Sequence, residues 1–212
     1  MSLIAIDNGA GKIKFGFAGE SKPRGSMHNC TARLNKQMQL LVGEDIDGVS
    51  NGSLLNFMRP FDRGYLTNML PELDVWQRVF GPSHLNISPS NTHLVITEPP
   101  LNPEPFQNNM NEVIFEDFGF ASCCRRPAAW FSAYEYNHEC LEQNVDSSAL
   151  FDSCLVVDSG FSFTHVAPFI NLKAIKTAVS FVCIVPSFYM INSIVQFHVF
   201  EIMIQILFIQ IY

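Results

Sequence analysis

The feature that most constrains this chain is a short pattern that occurs twice, in which an apolar strand ends at an aspartate and the chain then turns on glycine. The first copy, LIAIDNGAGKIKFGFAGE, spans residues 3–20, and the second, LVVDSGFSFTHVAPF, spans residues 155–169. Turn-forming pairs between apolar runs favour tight turns, so each copy predicts two strands joined by a hairpin. Taken alone, either copy is most simply interpreted as an ordinary turn.

The same pattern also suits phosphate binding. Glycines allow backbone N–H groups to approach an anion, and an aspartate at a strand end can orient a hydrated divalent cation. Asp7 and Asp158 stand at that position in the two copies. Their separation is what we expect if one strand–turn–strand unit is used twice, with helices inserted between the copies.

Apolar periodicity elsewhere predicts alternating strands and helices. Spacings of three and four predict one helical stripe that ends at Gly81 and consists of Leu66, Met69, Leu70, Leu73, Trp76 and Phe80. The predicted elements are strands at 3–6, 12–18, 39–42, 94–97 and 155–157, and helices at 66–80, 105–118 and from 128 onward. The remainder of residues 21–52 is polar and is expected at the surface. Strands that alternate with helices predict an α/β domain built on a central sheet.

The last part of the chain differs in composition. From residue 174 to the end, Lys176 and Glu201 are the only residues with a formal charge, if histidine is neutral. The run from 177 to 200 is long enough to span a membrane. Pro186 and several polar residues interrupt it, however, and no basic cluster follows it. A hydrophobic tail that covers or disrupts the domain is therefore favoured over a membrane helix, and we expect no membrane association.

The net charge and the cysteines indicate which kinds of binding partner and which cellular compartment to expect. The formal net charge of -7 argues against strong non-specific binding to nucleic acid, because such binding requires a basic face. A protein or small-molecule partner fits this charge better. The six cysteines show no C-x-x-C spacing, and no signal-peptide pattern opens the chain, so we expect a reducing intracellular compartment.

Two cysteine-containing motifs have a structural and a chemical interpretation. Cys123 and Cys124 precede two arginines, which could lower a thiol pKa, but buried small residues beside solvated arginines are the simpler interpretation. His138 and Cys140 could form half of a metal site. No second pair lies at a matching spacing, so a structural role is favoured.

Five stretches occur in the order and at the spacing found in actin and its relatives, namely residues 7–24, 59–81, 94–103, 110–120 and 156–169. Over roughly residues 2–170 the chain resembles the amino-terminal half of an actin-related protein. The cluster CCRRPAAWFSAYEY and the short polar segment in place of actin's longer exposed loop make it most similar to one nuclear group of that family.

This resemblance implies a fold and a domain division. Family members have two similar α/β domains of the ribonuclease-H-like type, with ATP and a divalent ion held between them. We therefore expect residues 1–170 to form a truncated actin-like amino-terminal domain. Residues 171–212 are expected to form a divergent hydrophobic tail in place of the second domain.

The resemblance also implies roles for the two hairpins. The residues that would contact the phosphates, by backbone or side chain, are Asp7, Gly9, Ala10, Gly11 and Lys14 in the first hairpin and Asp158, Ser159 and Gly160 in the second. Asp7 and Asp158 would also hold a magnesium ion through water. His165 has a counterpart near the family's phosphate-release path, with a core or hinge histidine as the alternative.

Three departures from the family pattern affect that expectation. Ala10 replaces a hydroxyl residue, Phe161 replaces a second acidic residue, and Ala128 replaces the glutamine that positions the attacking water. Water positioning in phosphoryl transfer requires a polar side chain, so we expect no hydrolysis. The contacts that the second domain makes to adenine and ribose are missing, so ATP with magnesium is expected to bind weakly or not at all.

The resemblance implies a function in the nucleus, with some protein in the cytoplasm. We expect a non-catalytic scaffold subunit of a chromatin-remodelling complex that deposits a variant core histone, with remodeller subunits and histones as partners. Neither filament formation nor direct sequence-specific nucleic-acid binding is expected. The alternatives are an ATP-binding actin-like ATPase and a membrane-associated non-functional fragment.

Overall fold

A computed structural model describes residues 1–34, 39–142 and 153–182. The strands in chain order are β1 (Ser2–Asn8), β2 (Lys12–Phe17), β3 (Gly25–His28), β4 (Thr31–Leu34), β5 (Leu40–Val42), β6 (Leu55–Met58), β7 (Phe61–Asp62), β8 (Tyr65–Leu66), β9 (Thr92–Glu98), β10 (Ser122–Pro127), β11 (Ser153–Ser159), β12 (Thr164–Ile170), β13 (Lys173–Ala174) and β14 (Ser180–Val182). The α-helices are α1 (Met69–Phe80), α2 (Glu104–Glu112) and α3 (Ala128–Glu142).

The central sheet has the strand order β10-β9-β1-β2-β3. Strands β1, β9 and β10 run parallel, whereas β1, β2 and β3 are joined in antiparallel pairs. The carboxyl ends of the three parallel strands therefore meet at one edge of the sheet, which is where open α/β sheets bind ligands. The turn after β1, the end of β9 and the start of α3 all lie at this edge.

Helices cover both faces of the central sheet. On one face, Ile4, Ile6 and Ile13 of the sheet pack with Trp76 of α1 and Ile114, which follows α2, in the main core. On the other face, a smaller cluster joins the strands to α3; it consists of Ala5, Val95 and Phe131. Alternate strand residues thus face opposite helical layers, and the mixed α/β architecture predicted from the sequence is confirmed.

The second predicted hairpin forms a separate sheet. Strand β11 pairs antiparallel with β12, and the short strands β13 and β14 both pair with β12. Residues 173–174 and 180–182 thus belong to the same sheet as the second hairpin. That boundary stays a prediction, and residues 183–212 of the predicted tail lie outside the described part of the chain.

The predicted surface character of residues 21–52 is wrong in part. The strand predicted at 39–42 is present as β5, but β3 and β4 also lie in this segment. Met27, Asn29, Cys30 and Ala32 are all buried. The sequences of β3 and β4 are GSMH and TARL, which are too short and too polar to show an apolar alternation. Their burial comes from pairing with neighbouring strands, which a local pattern does not reveal.

The predicted end of helix α1 is confirmed: Phe80 is its last residue, and Gly81 follows. Its buried face differs from the predicted stripe. Leu70 is 75% exposed, whereas Glu72 is completely buried. The core-facing positions also include Val75 and Val79, so the buried face is rotated from the stripe that the apolar residues suggested.

The helix predicted at 105–118 is shorter than expected. Helix α2 ends at Glu112, and a π-helical turn follows at Val113–Asp117. In the described ranges, no helix is both long enough and apolar enough to cross a membrane. The run from 177 to 200 that prompted this question lies mostly outside those ranges.

Candidate functional site

The two predicted hairpins face each other across one cleft. Residues from β1, the first turn, β2, the end of β9, the start of α3 and the second hairpin line it together. Of the predicted site residues, the lining includes Asp7, Gly9, Ala10, Gly11, Lys14, Asp158 and Gly160, together with Ala128. The fold therefore brings most of the predicted site residues into one place.

Asp7 is held in position by its neighbours on two strands. The antiparallel register places Asp7 opposite Lys14, and the Lys14 Nζ lies 3.0 Å from Asp7 Oδ2. Thr97 at the end of β9 donates its hydroxyl to Asp7 Oδ1 at 3.0 Å and accepts the Asn8 backbone N–H at 2.8 Å. The aspartate side chain is therefore fixed by one cation and one hydroxyl. Thr97 was not among the predicted site residues. In the sequence, only its position at the end of a predicted strand pointed to it.

Asn29 holds the first turn through two hydrogen bonds to its backbone. Its amide nitrogen donates to the Gly9 carbonyl oxygen at 3.0 Å, and its backbone N–H donates to the Gly11 carbonyl oxygen at 3.1 Å. Gly9 is required by space, since a β-carbon there would lie 2.7 Å from the carbonyl oxygen of Lys12. Asn29 is fully buried but lies in a segment that the sequence placed at the surface.

Asp158 of the second hairpin lies in an unfavourable environment for a charge. Burial, with the negative charge of Asp7 adding to it, raises the pKa of Asp158 to about 6, against the opposing effect of Lys14. The two predicted metal-associated aspartates are thus close enough to interact electrostatically. Ser159 does not line the cleft, and its hydroxyl is hydrogen-bonded across the hairpin to Thr164 Oγ1 at 3.0 Å.

Aromatic side chains of the second hairpin fill part of the cleft. A β-carbon on Gly11 would lie 2.8 Å from the Phe161 ring, and one on Gly64 would lie 3.0 Å from the Phe163 ring. The Arg59 guanidinium lies 5.1 Å from the centre of the Phe161 ring, within cation–π distance. The phenyl ring of Phe161 therefore packs directly on the turn that would offer backbone groups to a phosphate.

The residues at this cleft fit a nucleotide only in part. Asp7, Lys14 and Asp158 supply the carboxylates and the ammonium that a hydrated cation and a phosphate require. The volume of this half-open cleft is about 120 Å³. Pockets for small molecules are usually about 300–1,000 Å³, so this cleft is smaller than most of them. Polar groups suited to phosphate are therefore present in a cleft of small volume.

Two further cleft residues bear on catalysis. Ala128, the first residue of α3, lines the cleft with a methyl group that can neither donate nor accept a hydrogen bond. His165 also lines it, and burial lowers the pKa of its imidazole, which favours the neutral form. Neither side chain supplies a fixed charge to the site.

A buried carboxyl group beneath the first turn was not predicted. Glu72 of α1 has no exposed surface, and burial raises its pKa to about 7. Side-chain donors on Asn8, Asn29 and Trp76 lie near it and oppose this rise, although none has normal hydrogen-bond geometry to either oxygen. The sequence signal was an acidic residue inside an amphipathic helix, which normally indicates the solvent face.

The structure bears on one cysteine of the two cysteine motifs. Burial raises the pKa of Cys123 to about 12, despite the positive charge of Arg125, so this thiol is not activated. The side chain of Cys140 lies outside the described part, which leaves the pairing with His138 a prediction. Within that part, no group of three or more potential metal ligands occurs.

Comparison with known proteins agrees with the predicted family. The family model described as Actin matches residues 1–184. Actin-like protein ARP6 of Cryptococcus neoformans is 35% identical over 166 residues, which cover 78% of this chain and 33% of that protein. Actin-related protein 6 of Drosophila melanogaster is 31% identical over 170 residues, covering 80% of this chain and 42% of that protein.

The similarity extends to other members of the family. Actin-related protein 2 of Drosophila melanogaster is 31% identical over 182 residues, covering 79% of this chain and 42% of that protein. The chain spans about one third to two fifths of the length of the relatives it matches. The nuclear group predicted from the sequence is the actin-related protein 6 group, and relatives of that name are among the matches. The chain belongs to the actin family and is an actin-related protein similar to actin-related protein 6.

Proposed function

We propose that this chain is a non-catalytic actin-related subunit that acts by binding other proteins in a nuclear chromatin-remodelling complex. The observation that carries the non-catalytic part is the methyl group of Ala128 in the cleft, where the family pattern has a glutamine. A methyl group cannot orient an attacking water.

The cofactor part of the proposal is that ATP with magnesium binds weakly or not at all. The Phe161 ring packs on Gly11, where the phosphates would approach the backbone. The Arg59 guanidinium, which could otherwise attract phosphate, lies over that ring. Displacing Phe161 would break both contacts before any phosphate contact forms.

The second candidate function is an ATP-binding actin-like ATPase. The arrangement that favours it is the Asp7–Lys14 pair with Asp158 nearby, because these groups match the charges of a phosphate and a hydrated cation. This candidate requires turnover that depends on magnesium and is lost in Asp7→Asn or Asp158→Asn. The non-catalytic proposal requires that no such turnover exists.

The partner part of the proposal rests on similarity and charge. Matches to actin-related protein 6 from several organisms cover 78–84% of this chain. The net charge of -7 suits histone-bearing partners, since opposite charges favour association. We place the protein in the nucleus with a cytoplasmic fraction, in contact with remodeller subunits and histones, without filaments and without sequence-specific contacts to nucleic acid.

The experiment that tests this function is affinity purification of the tagged full chain from nuclear extract, followed by mass spectrometry. The matched control is Ala5→Asp, which buries a charge in the fully buried centre of the main sheet and should unfold the chain. Remodeller subunits and histones recovered with the natural chain, but not with the control, would support the proposal. Recovery of the same chaperones with both chains would contradict it.

A further inference from the structure

One face of the second sheet is apolar and uncovered in the described part of the chain. The register places Leu155 opposite Pro168 and Val157 opposite Val166, so all four side chains share this face. Leu155 is 63% exposed and Val157 is 53% exposed. Ile170, on the same face, is 47% exposed, which makes the patch continuous across β11 and β12.

The opposite face of the same sheet is covered. Ala129 and Ala133 of α3 pack there with Ala167 and Phe169 of β12 in a buried cluster. The sheet therefore has one face in the core and one apolar face without a layer on it. Sheets that are apolar on both faces are normally covered on both.

Strand β11 also presents an open edge. It stands at the end of its sheet and, among the described residues, pairs with β12 alone. The other edge carries backbone N–H and C=O groups beside the exposed Leu155 and Val157. A seven-residue edge strand with Leu155, Val156 and Val157 at its centre is a template for another strand.

The chain itself supplies a segment of matching chemistry. Residues 183–212 follow directly from β14, whose Val182 is paired with Thr164 in this same sheet. Glu201 is the only residue with a formal charge in this segment, and its last eleven residues, IMIQILFIQIY, are rich in isoleucine. β-branched residues favour strands, and a run that is apolar at both odd and even positions is typical of a strand covered on both sides.

We propose that residues 183–212 of the same chain dock on the apolar face and open edge of β11. Their isoleucine-rich part, residues 202–212, has more residues than the seven of β11. They follow β14, which is separated from β11 by β12. Docking removes the exposed apolar patch from water and pairs the open backbone edge. The proposal concerns a surface outside the cleft between the two hairpins and does not depend on the proposed function.

Photo-crosslinking in the purified full chain tests this directly. A benzoylphenylalanine placed at Leu155 should crosslink within the same chain to peptides from residues 183–212. The matched control carries the same group at Leu70, an exposed leucine on α1, a helix that packs on the central sheet. Crosslinks from position 155 that reach only another copy or another protein, or that match those from position 70, would overturn the proposal.

Hydrogen exchange provides a second measurement that needs no probe on the sheet. The combined changes Ile204→Ser, Ile206→Ser and Phe208→Ser should accelerate amide exchange in β11 by at least about tenfold, because edge pairing is lost. Exchange in α1 should be unchanged, which shows that the chain is still folded. Unchanged exchange in β11 would also overturn the proposal.

Discussion

The phenyl ring of Phe161 packs on the backbone of Gly11, so closely that a β-carbon on the glycine would lie 2.8 Å from the ring. These residues come from the two hairpins that face each other across the cleft. In the proposed account this apolar contact stands where a bound phosphate would otherwise join the two hairpins. The replacement of an acidic residue by Phe161 is therefore linked to the small volume of the cleft.

Removing the Phe161 ring should open the cleft to phosphate. We expect Phe161→Ala to bind tripolyphosphate with magnesium at least about tenfold more tightly than the natural chain, because the glycine turn becomes accessible. Isothermal titration calorimetry measures this affinity. Phe115→Ala is the matched control, since Phe115 is also 41% exposed but lies in the π-helical turn away from the cleft. Equal affinities for all three chains would contradict the role given to Phe161.

Arg59 should stabilise the fold through cation–π contacts with two phenylalanine rings. Its guanidinium lies 5.1 Å from the centre of the Phe161 ring and 5.9 Å from that of Phe57. We expect Arg59→Ala to lower the free energy of unfolding by about 0.5–1 kcal/mol, the usual range for an exposed cation–π contact. Urea denaturation measures this loss, with the exposed Lys22→Ala as control. A loss no larger than that of the control would argue against the contact.

Gly9 should be irreplaceable for reasons of space. A β-carbon at Gly9 would lie 2.7 Å from a backbone oxygen, whereas at Gly48 it would meet nothing within 4 Å. We expect Gly9→Ala to destabilise the chain by about 1–3 kcal/mol, because the turn backbone must shift. Gly48→Ala should leave the stability nearly unchanged. Thermal denaturation of both variants checks this, and equal melting temperatures would contradict the close packing of the first turn.

Glu72 should make stability dependent on pH. Its pKa is 4.5 when exposed and about 7 in the fold, so the folded chain retains a proton that the unfolded chain has lost. Stability should therefore fall as the pH rises from about 4.5 to about 7 and then level off. The total change is about 3–4 kcal/mol at about 1.4 kcal/mol per pKa unit.

The variant Glu72→Gln isolates this effect, because it removes the titrating group while keeping the side-chain size. It should be more stable than the natural chain above pH 7, and the difference should shrink towards pH 4.5. Glu112→Gln, at an exposed glutamate, should follow the pH profile of the natural chain. Urea denaturation across this pH range measures both profiles. A constant difference between Glu72→Gln and the natural chain would show that Glu72 does not titrate as proposed.

The parts of this fold that are encoded locally could be predicted from the sequence. Both hairpins follow from glycine turns between apolar runs, and the end of α1 follows from Gly81. The burial of Asn29 and Glu72 could not be predicted, because each is buried by elements distant in sequence. The packing of Phe161 on Gly11 depends likewise on how the two hairpins face each other. Position 161 could be identified as a departure from the family, but not as the residue that fills the cleft.

The central claim, that this actin-family chain does not hydrolyse ATP, is tested most directly by steady-state ATP turnover of the purified chain with magnesium. The account predicts a rate no higher than that of Asp7→Asn and Asp158→Asn, measured side by side. Turnover that is clearly above the rates of both variants would contradict the account and would establish the cleft between the two hairpins as an active site.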